Sequence, residues 1–204
     1  MKKVIGILVV ALISITISCK NNKEQEHDTM GNEEMSTEMH EGHDHSDMKD
    51  MGQRKITQNT TKNTATAAIL DAYFEIKNGL VADDKDKTAK GGTALLAAFS
   101  KFDMTQLSDD THKEYMEIQE SAKEHAEHII KNPIDHQREH FESLSTDIND
   151  IIILLGTDKV IYQDYCPMAS NNKGAMWLSE VKDIKNPYFG SKMLNCGSIK
   201  KQIN

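Results

Sequence analysis

Four histidines fall within a stretch that the sequence predicts to be two helices joined by a tight turn. They are His125, His128, His136 and His140. If the helices run antiparallel about a turn near Asn132, His125 lies level with His140 and His128 lies level with His136. Imidazoles that face one another across a helix pair form a geometry that holds Zn(II) or Cu(II). The spacing predicts a metal site, although one core histidine with three surface histidines fits the pattern too.

The apolar pattern gives these histidines different expected positions. His125 should lie near the centre of the apolar face of its helix, and His128 near the edge of that face.

The run from His136 to His140 also matches His-x-x-Glu-His, in which Glu139 would activate a zinc-bound water for hydrolysis. This short pattern arises often by chance in a histidine-rich chain, and the chain lacks the bulk of a large protease. We therefore expect no enzymatic activity.

Sulfur-bearing side chains recur towards the C-terminus. Cys166 and Met168 are two residues apart, and Met193 and Cys196 are three apart. Thiolate and thioether are soft donors that favour Cu(I) or Ag(I). The cysteines could equally form a disulfide, which would stabilise the fold by roughly 3–4 kcal/mol by closing a loop of about 30 residues. The spacing leaves both the metal site and the disulfide open. Met176, which stands beside a tryptophan, is expected to be a core residue.

The segment 19–62 is predicted to be a disordered tether, because after Cys19 it lacks apolar periodicity. It is rich in imidazole and thioether groups, which a plain spacer would not require. A flexible chain that carries such donors could wrap a soft metal ion. The candidate ligands of this tail are His27, Met30, Met35, Met39, His40, His43, His45, Met48 and Met51.

The N-terminus has the features of a bacterial lipoprotein signal. Lys2 and Lys3 precede an apolar run over 4–17, which is too short to span a bilayer comfortably. A small residue then stands directly before Cys19, where lipoprotein processing takes place. We expect residues 1–18 to be a signal peptide and Cys19 to be the lipid anchor, with an ordinary secretory signal as the alternative. The lipid anchor would place the protein in the cell envelope, on the periplasmic or outer-membrane face, and either signal would place it outside the cytoplasm.

The overall charge excludes one large class of partners. The chain carries 24 basic and 32 acidic side chains, for a formal net charge of −8. Nucleic-acid binding requires a basic surface, so we expect no nucleic-acid partner. A glycine-rich phosphate loop is also missing from the sequence, which argues against nucleotide chemistry.

Helical periodicity begins near Thr61 and continues to Leu155. The pattern predicts four amphipathic helices, the second weakened by Gly91 and Gly92, the third capped by Ser108, and the fourth capped by Asn132. We therefore predict an all-α domain over 63–204. Its core would be an up-and-down four-helix bundle over 63–156, with an irregular segment over 157–204 packed on it.

Seven short blocks together resemble a bacterial envelope domain known as domain of unknown function 3347. The blocks are 73–80, 125–128, 136–141, 166–169, 174–179, 186–190 and 193–197. Members of that family occur as lipoproteins and also fused to membrane-fusion subunits of copper and silver efflux pumps. The block at Cys166 is further similar to the start of small heavy-metal-binding domains in those pumps. The resemblance implies metal handling but assigns no ligand.

These patterns favour an extracytoplasmic lipoprotein that binds copper or silver ions and supports heavy-metal efflux or tolerance. Cu(I) is the favoured ion, with silver or zinc as alternatives. The expected partners are the membrane, through the lipid anchor, and an efflux pump or metallochaperone. The main alternative is a metal-independent interaction module that docks onto an envelope partner such as an efflux pump.

Overall fold

The computed structural model describes residues 54–56, 59 and 62–204. The predicted signal peptide, the predicted lipid anchor Cys19 and all nine candidate ligands of the tail lie outside the described residues. Among the residues described, no helix has both the length and the apolar character needed to cross a membrane.

Four long helices form the larger part of the fold. They are α1 (Ala67–Val81), α2 (Lys85–Lys101), α3 (Asp109–Lys131) and α4 (Ile134–Leu155). Each packs against the next in sequence, and α1 also contacts α4. The prediction of four helices packed together is confirmed. Two short 3-10 turns, Met104–Gln106 and Gly190–Lys192, lie in the connections.

The turn between α3 and α4 differs from the prediction in how it is capped. Ser108 begins α3 as predicted, because its side chain accepts a hydrogen bond from the backbone N–H of Thr111. Asn132, however, does not cap α4. Its side chain donates to the carbonyl of His128 at 2.9 Å and so closes the end of α3. The residue that precedes α4 is Pro133, which makes no side-chain cap.

Glycines allow α1 and α2 to approach closely. A Cβ on Gly91 would lie 2.6 Å from the backbone nitrogen of Ile76, and a Cβ on Gly79 would lie 2.6 Å from that of Thr88. Such distances are shorter than van der Waals contact, so the backbones could not meet if these positions carried side chains. Gly91, which the sequence marked as a weakness of the second helix, is therefore part of its packing surface.

The C-terminal segment is not irregular, and that part of the prediction is wrong. It forms a three-stranded antiparallel sheet in the order β2-β1-β3, with β1 at Ile161–Cys166, β2 at Ala175–Ser179 and β3 at Ser198–Ile203. A one-turn helical segment, Ala169–Asn172, lies between β1 and β2. Strand pairing satisfies backbone groups that an irregular segment would leave unpaired against the bundle.

The sheet and the bundle share one hydrophobic core. Trp177 and Leu178 of β2 are fully buried, and the N–H of Leu178 donates to the hydroxyl of Tyr73 in α1 at 3.0 Å. Tyr73 also stacks on Phe141 of α4, with ring centroids 5.2 Å apart, and shares a hydrogen bond with Ser145. Tyr73 therefore joins α1, α4 and the sheet.

Residues that the sequence places in the tether also contact the helices. The N–H of Asn59 donates to the carbonyl of Ile153 at 2.8 Å, and Ile56 packs against the core. Arg54 forms ion pairs with Asp147 and Asp150 of α4. Among the described residues, contacts with the folded domain are therefore already present at Arg54, before the boundary at 62.

Candidate metal centre

Helices α3 and α4 run antiparallel, as the histidine spacing requires. Ser121 donates to Asp147 at 2.8 Å, and Gln137 donates to the carbonyl of Ile129 at 2.7 Å. These contacts pair rising residue numbers on α3 with falling numbers on α4. The four histidines consequently meet near the turn end of the helix pair.

Three of the histidines come together at one point. His140 is buried, whereas His128 and His136 are half-buried. The Nε2 atoms of His140 and His136 lie 3.0 Å apart, and the ring of His128 stacks on that of His140 with centroids 4.1 Å apart. One ring nitrogen from each of the three lies within 4.8 Å of the other two. We refer to His128, His136 and His140 as the histidine triad.

The triad has dimensions that suit a metal ion. Metal–imidazole bonds of about 2.0–2.1 Å in tetrahedral geometry place two ligand nitrogens roughly 3.3 Å apart. The 3.0 Å separation between His136 and His140 therefore needs only a small opening to admit an ion. Three protein ligands leave a fourth position for water or an exchanging ligand. The half-exposed rings of His128 and His136 give an ion a route from solvent.

His125 occupies a different place from the one that the sequence indicates. It is half-buried rather than central in the apolar face, and it is not one of the three histidines that converge. Its Nδ1 lies 3.0 Å from the Nδ1 of His140. Because that contact uses the nitrogen of His140 that points away from His136, His125 is placed to orient the ring of His140.

Asp147, a buried acidic residue that no sequence motif indicates, attracts His125 electrostatically. Asp147 is buried and accepts hydrogen bonds from Arg54 at 2.7 Å and from Ser121 at 2.8 Å. Burial raises the pKa of Asp147, and the bonds from Arg54 and Ser121 oppose that rise. Burial also lowers the pKa of His125, while the negative charge of Asp147 opposes the change. Arg54 and Asp147 are 93 positions apart, so no local pattern signals the pair.

Glu139 contacts the outer nitrogen of His136. Its carboxylate oxygen lies 3.0 Å from the Nδ1 of His136, and its side chain is 64% exposed. A carboxylate in this position fixes the orientation of the ring and raises the basicity of the opposite nitrogen. Glu139 is therefore positioned as an outer hydrogen-bond partner of the candidate ligand His136.

The two C-terminal cysteines also come together. Cys166 and Cys196 are free thiols whose sulfurs lie 3.2 Å apart, and the sulfur of Met168 lies 3.9 Å from that of Cys196. The hydrogen bond with Cys166 raises the pKa of Cys196. Met193 is half-buried, and its backbone carbonyl accepts a hydrogen bond from the N–H of Cys196. Met176 packs against the core, as expected.

Comparison with known proteins identifies the helical part of the chain. Residues 69–159 match the family described as "Protein of unknown function (DUF3347)". These residues form a DUF3347 domain. The match covers the four helices except the first two residues of α1, includes the histidine triad, and ends before the sheet and the loop that carry Cys166 and Cys196. It supports the expected resemblance over this range. No curated protein and no solved structure matches the chain.

Proposed function

We propose that the protein is an extracytoplasmic lipoprotein that binds copper and supports efflux or tolerance of heavy metals. The observation that carries this proposal is the convergence of three imidazole nitrogens at the turn end of the DUF3347 domain. Imidazole clusters of this size bind divalent transition metals, and outer partners such as His125 and Glu139 are the usual support of such ligands.

Copper is preferred over zinc for this site on general grounds. A given set of nitrogen ligands binds Cu(II) more tightly than Zn(II), and imidazole suits both ions. The histidine triad would therefore take Cu(II), with zinc as a weaker competitor. The methionine- and histidine-rich tail would capture copper or silver loosely and pass it to the domain or to an efflux partner.

Attachment to the membrane would place this binding at the cell envelope. The support for it is the N-terminal sequence, in which a short apolar run leads directly to Cys19. Growth with labelled palmitate should label the wild-type protein and not the Cys19→Ala variant. Labelling of both proteins, or of neither, would contradict lipid anchoring at this residue.

Metal titration against a chromophoric chelator tests the binding site. Metal binding by the tail must first be removed. We therefore define the tail-substituted chain as the full chain in which the nine candidate tail histidines and methionines are replaced by serine. We expect this chain to bind one Cu(II) and to lose that binding in His140→Ala. His112→Ala provides a matched control, because His112 is an exposed histidine of α3, the helix that also carries His128.

The outcomes separate the two candidate functions. Retained Cu(II) binding in single alanine variants of all three triad histidines would place the metal elsewhere. Absence of any binding by the tail-substituted chain would overturn the proposed site and favour the interaction module. Circular dichroism of each variant would show whether lost binding reflects a lost ligand or a lost fold.

A further inference from the structure

We propose that Cys166, Cys196 and Met168 form a second metal site, specific for a soft monovalent ion such as Cu(I) or Ag(I) and independent of the histidine triad. The inference extends the proposed function, since it names a second site and the oxidation state that this site selects. The three sulfurs lie outside the family match, on β1, on the turn after it and on the loop before β3. We refer to them as the sulfur cluster.

The fold, rather than sequence proximity, brings the sulfurs together. Cys166 ends β1 and is fully buried, and it is paired across the sheet with Ala175. Cys196 lies 30 positions later, yet its sulfur is 3.2 Å from that of Cys166. Gly197 makes this approach possible, because a Cβ there would lie 2.8 Å from the ring of Trp177.

The backbone at Cys196 is held independently of any metal. The buried side chain of Asn186 donates to the carbonyl of Cys196 at 2.7 Å, and its own carbonyl oxygen accepts from the N–H of Tyr188. The N–H of Asn186 in turn donates to the carbonyl of Leu194. Ligands that are fixed before binding lose little conformational entropy when an ion arrives, which favours tight binding.

The separations within the cluster suit a bound ion. Metal–sulfur bonds of about 2.3 Å place two sulfur ligands roughly 3.8–4.0 Å apart in tetrahedral or trigonal geometry. The distance from Cys196 to Met168 is 3.9 Å, and the two cysteine sulfurs, at 3.2 Å, would need to separate slightly. Met168 is 47% exposed, so it stands where an ion would enter from solvent.

Binding would exchange protons for the metal. An ion M⁺ accepts an electron pair from each of two thiolates and from the thioether, and the two thiol protons pass to solvent. Thiolate disfavours hard ions such as Mg(II), and the added thioether favours Cu(I) or Ag(I) over Zn(II), whereas the histidine triad prefers borderline ions such as Cu(II). The sulfur cluster would therefore bind Cu(I), and the histidine triad would bind Cu(II).

Titration of the reduced, tail-substituted chain with Cu(I) under anaerobic conditions, in competition with a Cu(I) chelator, tests the sulfur cluster. We expect loss of tight binding in the double variant Cys166→Ser with Cys196→Ser. Met168→Leu should weaken binding by at least about tenfold, in the range seen when a supporting group of a metal site is removed. Met116→Leu, which alters another exposed methionine, should bind as the parent does.

Two further measurements keep the test decisive. Because Cys166 is buried, Cys196→Ser alone serves if the double variant fails to fold. Bound Ag(I) should also protect both thiols of the unmutated pair from alkylation. Unchanged Cu(I) affinity in the cysteine variants, or equal alkylation with and without Ag(I), would overturn the proposal.

The triple variant of His128, His136 and His140 to alanine separates this site from the proposed histidine site. Retained Cu(I) binding by that variant is expected and would stand even if the Cu(II) titration failed. Loss of Cu(I) binding in a triple variant that keeps its fold would show that the sulfur cluster is not an independent site.

Discussion

The Nδ1 of His125 lies 3.0 Å from the Nδ1 of His140, so the two rings share one hydrogen bond across the α3–α4 pair. Only one proton can occupy that contact, and when His140 carries it, the lone pair of His140 lies on the Nε2 that faces the Nε2 of His136. In the proposed metal site, His125 would therefore be an orienting partner and His140 the central ligand.

Replacement of His125 should therefore weaken metal binding without removing it. His125→Leu should lower Cu(II) affinity by roughly 10- to 100-fold, as loss of an outer hydrogen bond does in other metal sites. His125→Gln should restore part of the affinity, because its side-chain oxygen can accept the proton of His140. Chelator competition would measure both values. Complete loss of binding in His125→Gln would instead make His125 a ligand itself.

Removal of the Tyr73 hydroxyl, at the junction of the helices and the sheet, should lower the stability of the fold. Tyr73→Phe removes the acceptor of the buried Leu178 N–H and should lower the free energy of unfolding by about 1–3 kcal/mol. Tyr165→Phe is the matched control, since its hydroxyl makes a long, exposed bond to Lys173 and its loss should change stability by less than about 0.5 kcal/mol. Urea denaturation would measure both. Equal effects of the two changes would contradict the assigned role of Tyr73.

Two adjacent glycines of α2 should respond differently to alanine. A Cβ on Gly91 would meet the backbone of Ile76, which cannot move alone, so Gly91→Ala should destabilise the fold by roughly 1–3 kcal/mol. A Cβ on Gly92 would first meet the side-chain Cγ1 of Ile130 at 2.9 Å, which can move by rotation about χ1, and next the carbonyl oxygen of Ala126 at 3.2 Å. The helix propensity of alanine, worth about 1 kcal/mol over glycine, should offset much of that smaller cost. Thermal denaturation of both variants that shows Gly92→Ala as the more damaging change would contradict this packing.

A buried carboxyl group should make stability depend on pH. Both oxygens of Asp164 are buried without a hydrogen-bond partner, and burial raises the pKa of Asp164 to about 6, although attraction to Lys77 opposes the rise. Because the native pKa lies above the unfolded value, the native state holds the extra proton. Stability should therefore fall as the pH rises from about 4 to about 6.

Asp164→Asn tests this dependence, because an amide does not ionise. The drop in the free energy of unfolding between pH 4 and pH 7 should be smaller in the variant by roughly 2–3 kcal/mol, which corresponds to a shift of about two pKa units. Urea denaturation at both pH values would measure it. An identical drop in the wild type and the variant would show that Asp164 does not titrate in this range.

Local patterns predict the helices and the meeting of the histidines well. Tyr115, Ile118, Ala122 and Ile129 form the buried stripe of α3 that their spacing predicts, and α3 begins after Ser108. The near-equal heights of the histidine pairs follow from helix geometry and a short turn alone. For this reason the proximity of the four histidines, but not the convergence of three of them without His125, could be predicted without knowledge of the rest of the fold.

Features that depend on distant contacts could not be predicted in the same way. The sheet forms because strands 161–166 and 175–179 pair with each other and with 198–203, while glycine and proline between them mask the pattern. Val160, Ile161, Tyr162 and Tyr165 are of residue types that favour strands, and they are a local signal that could have indicated β1. The attraction between His125 and Asp147, and the ion pair between Asp147 and Arg54, depend on packing that no periodicity encodes.

Electron paramagnetic resonance of the tail-substituted chain loaded with one equivalent of Cu(II) tests the central claim most directly. Imidazole ligands couple their nitrogen nuclei to the copper spin, so the spectrum should show that coupling. It should be lost when His128, His136 and His140 are replaced together by alanine, and it should persist in His112→Ala. An unchanged spectrum in the folded triple variant would contradict a copper site at these three histidines.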